Sequence, residues 1–107
     1  MSEQDLIRSV DRLVDQVAQW TPARWAASGG SRAVTMHALA QRLADIEAGV
    51  TGHPRHEVPR LANDLVLPDQ VRVTARDLLA ARPSAEVFAE AARAVAETRS
   101  ALAELRP

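Results

Sequence analysis

Leu6, Ile7, Val10, Leu13, Val14 and Val17 recur at steps of three and four, with Gln4, Arg8, Asp11, Arg12, Asp15 and Gln19 between them. That period predicts an amphipathic helix over residues 3–20. Ser2 is placed to cap its start, and Glu3 and Asp5 suit the positive end of the helix dipole. The helix must stop at Thr21-Pro22, because a residue before proline is pushed out of the α region. Thr21 then caps a short turn from Pro22 to Ala27, which Ser28-Gly29-Gly30 ends. A second long helix is expected over 32–48, capped by Ser31 and striped by Met36, Leu39, Ala40, Leu43 and Ile46. Gly49 and Val50 read as its stop. Residues 50–59 hold Gly52, Pro54 and Pro59 and have no period, which predicts an extended surface crossover.

Residues 60–73 admit two readings. Leu61 and Leu65 are one helical turn apart, but Leu65-Val66-Leu67 and Val71-Arg72-Val73 also read as brief strands around a Pro-Asp turn. An isolated hairpin is marginal in water, so a helix from Pro68 to Arg82 is preferred, with Val71, Ala75, Leu78 and Leu79 inward. Pro83 breaks it, and Ser84 caps a last helix over 85–106. There Phe88, Ala91, Val95, Thr98, Leu102 and Leu105 form a heptad seam, widened on one side by Val87, Ala94 and Ala101. The expected fold is all-α: a single domain over 1–107, built as a four-helix bundle with an extra helical turn after the first helix.

Composition removes several chemistries. The chain has no cysteine and no tyrosine, and its thirteen basic residues are all arginine, against fourteen acidic ones. Thiolate, Schiff-base and tyrosine acid chemistry are thereby excluded. A formal net charge of −1 argues against nucleic-acid binding. The N-terminus has no apolar signal region, and no apolar run reaches membrane-spanning length, so a cytoplasmic location is expected.

Three groups of residues invite functional readings. Trp20, Arg24 and Trp25 sit in Trp-Thr-Pro-Ala-Arg-Trp. They either plug the corner after the first helix, stacking on Arg24 or Arg32, or present an anchor to a partner. His53, His56 and Glu57 lack the spacing of a helical metal motif and read as loop residues. Gly29, Gly30, Ser31 and Arg32 lead into a helix start, where free amides and an arginine can hold an anion. Arg32-Ala33-Val34-Thr35-Met36-His37-Ala38-Leu39 resembles a short stretch of the phosphorylatable helix of histidine phosphotransfer domains, which are also four-helix bundles. The resemblance implies phosphoryl acceptance at His37. The lysine and glycine of that family stand here as Ala40 and Gln41, so the expected positive charge is missing.

No cofactor or metal site and no catalytic constellation is expected. The favoured function is a small non-catalytic interaction or regulatory module that binds a protein partner, including a second copy of itself. Its expected contact residues are Trp20, Arg24, Trp25, Val73, Val87, Ala94 and Ala101. The homodimer expectation rests on Val87, Ala94 and Ala101 forming an edge that a monomer leaves uncovered. An anion or small-ligand sensor built on the Gly-Ser loop is the alternative, and histidine phosphotransfer a remoter one.

Overall fold

Ser2 begins the first helix with a reciprocal cap. Its hydroxyl accepts from the Asp5 amide at 3.3 Å, and Asp5 Oδ2 accepts from the Ser2 hydroxyl and amide at 2.9 and 3.1 Å. Those hydrogen bonds hold the Asp5 carboxyl below its ordinary pKa. The computed structural model describes residues 2–104 and is all-α. Among these residues there are five α-helices: α1 (Glu3–Val17), α2 (Pro22–Ala26), α3 (Ser31–Thr51), α4 (Leu67–Ala80) and α5 (Ala85–Glu104). Two 3-10 turns, Ser28–Gly30 and Asp64–Val66, precede α3 and α4, and there is no strand. The hairpin reading of 60–73 is therefore wrong. Leu67 and Val71 belong instead to one helical face, buried with Thr74, Ala75 and Leu78.

The four long helices share one core. Leu6, Leu13, Met36, Leu43, Val71, Leu78 and Val95 are all fully buried in it. Near their C-terminal ends α1 and α5 are joined by Gln16 and Arg99, so these two helices run the same way. The opposite holds for α3 and α5, since Val34 lies by Ala101 while Val50 lies by Val87. From Gly52 the crossover turns back along α3, and its far end brings the Asp64–Val66 turn that leads into α4 in beside α2. As a result α4 runs parallel to α3. Twelve extended residues reach roughly 40 Å, enough to retrace a 21-residue helix of about 30 Å.

Helix boundaries differ from expectation at several ends: α1 stops at Val17, short of residue 20, and α4 stops at Ala80, short of Arg82. Ser31 is not the cap of α3: Gly30 holds that position in a left-handed conformation (φ 79°), and no side chain caps it. Gly49 is not the stop. It lies inside α3, and Gly52 (φ 76°) ends the helix, because the left-handed C-terminal position suits a residue without Cβ. On α5, Ala91, Val95, Thr98 and Leu102 are buried as the seam requires, whereas Leu105 falls outside the described residues. The adjoining edge is only partly open. Ala94 is 3% exposed, and Val87 and Ala101 are half-buried, because α3 packs on that side of α5. Of the edge that was to face a second copy, α3 encloses Ala94 and leaves Val87 and Ala101 partly exposed.

Candidate interaction surface

The tryptophans face inward at the corner between α1 and α3. Trp20 and Trp25 are 8% and 1% exposed, and their rings meet edge to face at 4.8 Å. Arg24 and Arg32 place their guanidiniums 4.6 and 5.6 Å from the Trp20 ring centre. The anchor reading of the tryptophans is thereby corrected, as neither ring is open to a partner. Arg24 is the exposed member of the group, while Arg32 is fully buried and donates from Nη1 to the Arg24 carbonyl at 3.3 Å. That burial also undoes the anion site expected at Gly29, Gly30, Ser31 and Arg32. Both glycines are left-handed and form the kink into α3, but the arginine they were to act with is turned into the core.

His37, Gln41 and Gln70 have a role that sequence reasoning missed: they tie the crossover down. Gln41 Oε1 accepts from the Val58 amide at 2.8 Å, while its Nε2 donates to the His56 carbonyl at 2.9 Å and to Asp45 at 3.0 Å. One carboxamide thus reads the backbone of the crossover on both sides of Glu57, much as a neighbouring strand would. From α4, Gln70 Nε2 donates to the Pro59 carbonyl at 2.8 Å. His37 Nε2 lies 2.8 Å from the Val58 carbonyl. A carbonyl only accepts, so Nε2 carries a proton in this contact and acts as a clamp. The missed signal was the demand for partners: an extended segment lying on helices leaves backbone groups to satisfy, and long amides on the facing helices supply them. Val58 is the buried residue of the segment, at 8% exposure. His53 and His56 are exposed, and among the described residues no three His, Cys, Asp or Glu side chains gather as metal ligands.

Beyond the clamped stretch, exposed apolar side chains occur on the crossover, on the turn before α4 and on α4 itself. Leu61, Leu65 and Val73 are 46%, 48% and 54% exposed. Arg60 and Asp64 pair at 2.7 Å, so Leu61 and Leu65 follow the two ends of one ion-paired loop. Val73 lies one turn beyond Gln70, whose amide holds the residue two before Leu61. Val34, also exposed, lies elsewhere, on the groove between α3 and α5. No helix among the described residues is long and apolar enough to cross a membrane. The chain matches no protein-family model, no curated protein and no solved structure.

Proposed function

We propose that the chain is a single-domain four-helix bundle, with α2 as its extra turn, that works in the cytoplasm as a non-catalytic protein-interaction module. Its contact surface is the side formed by the crossover and the start of α4, centred on Leu61, Leu65 and Val73. The observation that carries this reading is their exposure next to backbone held by side-chain clamps. Apolar side chains exposed singly need no explanation, but several gathered on one face mark contact surfaces. Clamping also limits the ordering entropy that binding would cost. Of the residues first expected at an interface, Val73 and Arg24 are exposed, Val87 and Ala101 are half-buried, and Trp20, Trp25 and Ala94 are buried.

The test is capture of a protein partner from an extract of the source cells, with light scattering to detect a second copy as that partner. Wild type is expected to form a complex that Leu61→Glu/Val73→Glu weakens at least tenfold while circular dichroism is unchanged. Ala96→Glu, on the exposed side of α5, is expected to bind like wild type. Undiminished binding by the double variant would remove the proposed surface.

A further inference from the structure

Between α1 and α4 lies a cleft of about 200 Å³ unrelated to the crossover surface. Leu6, Ile7 and Val10 of α1 face Ala75 and Leu79 of α4 across it. Ile7 and Leu79 are only half-buried, Leu79 although it packs on the core, so the two helices stand apart here without closing over their own aliphatic residues. At the lips, Arg72 and Arg76 project from α4 and Asp11 from α1. Two ion pairs join described residues, Arg42 with Glu97 and Arg60 with Asp64, and neither uses Arg72 or Arg76. Like charges one helical turn apart destabilise a helix slightly, and a bound anion would reverse that effect. Two guanidiniums against one carboxylate leave the rim with a net positive charge.

We infer that this cleft binds an amphiphilic carboxylate, an alkyl chain between the helices with its head on Arg72 and Arg76. Guanidinium forks match a carboxylate in geometry as well as charge. Taking a methylene as about the ~30 Å³ share of a liquid water molecule, the cleft takes roughly six or seven carbons. That matches the chain of octanoate. A helix of a partner protein would need a wider groove than a space of this size provides.

The experiment is calorimetric titration of the full chain with butanoate, octanoate, dodecanoate and octanol, with amide chemical shifts locating the site. Octanoate is expected to saturate one site and to shift residues around Val10 and Leu79. Butanoate should bind more than tenfold more weakly, because each buried methylene contributes several-fold, and dodecanoate should gain little over octanoate. Arg72→Gln/Arg76→Gln should weaken octanoate at least tenfold and leave octanol unchanged, while Asp11→Asn should tighten octanoate. Should the double arginine variant not fold, Asp11→Asn still decides: unchanged or weaker octanoate binding there overturns the assignment. It is equally overturned by the absence of saturable octanoate binding, by equal loss of octanol in the arginine variant, or by shifts confined to another face.

Discussion

Arg32 carries a charge to 0% exposure between Trp20 and the carbonyl of Arg24. A buried guanidinium is tolerated only where such partners offset its lost hydration. Replacing it with alanine removes the ring contact, leaves the Arg24 carbonyl without that donor and opens a void. The expected loss is about 2–4 kcal/mol, read from urea unfolding. Arg24→Ala should cost about 0.5 kcal/mol, since its side chain makes the ring contact from the exposed surface. Equal losses for the two would show that burial does not distinguish them. Stacking of these arginines on the tryptophans could be read from their closeness in sequence, as Arg24 and Arg32 both follow Trp20 within twelve residues. The burial of Arg32 could not, because hydropathy treats every arginine as a surface residue.

Hydrophobic period located all four long helices and left their ends less certain. Gly49 and Gly52 look alike as stop signals, yet only Gly52 has a left-handed backbone. A Cβ at either glycine meets nothing within 4 Å, so backbone conformation alone separates them. Gly49→Ala should therefore stabilise the chain by about 0.5–1 kcal/mol, and Gly52→Ala should destabilise it by about 1 kcal/mol. Thermal unfolding of the two variants checks the boundary, and opposite signs are required. The crossover posed a different problem. Its prolines and missing period show that it is extended, but they do not say what it lies on. Gln41→Ala deprives the buried Val58 segment of two hydrogen bonds, at an expected 1–3 kcal/mol. Gln41→Glu keeps the acceptor for the Val58 amide but sets a carboxylate against the His56 carbonyl, so it should recover only part of the loss. Faster amide exchange at Val58 in both variants, with α1 unchanged, would localise the effect to the clamp.

For the whole molecule, the all-α class was legible because four stripes of helical period cannot be buried except against one another. Which faces remain open was not, and this is where the expected interface moved. On an alanine-rich helix such as α5, the side toward α3 and a side toward a partner have the same composition. Only packing shows that Ala94 is enclosed while Leu61, Leu65 and Val73 are not. The parallel arrangement of α3 and α4 needs the long crossover, and that connection carries Leu61 and Leu65 in the open up to the start of α4. Hydrogen exchange of the chain alone and in complex with its captured partner tests that account most directly. Protection is expected to concentrate over residues 58–77 and to leave the solvent side of α5, around Arg93 and Ala96, unchanged. Protection centred on α5 with residues 58–77 unaffected would contradict it.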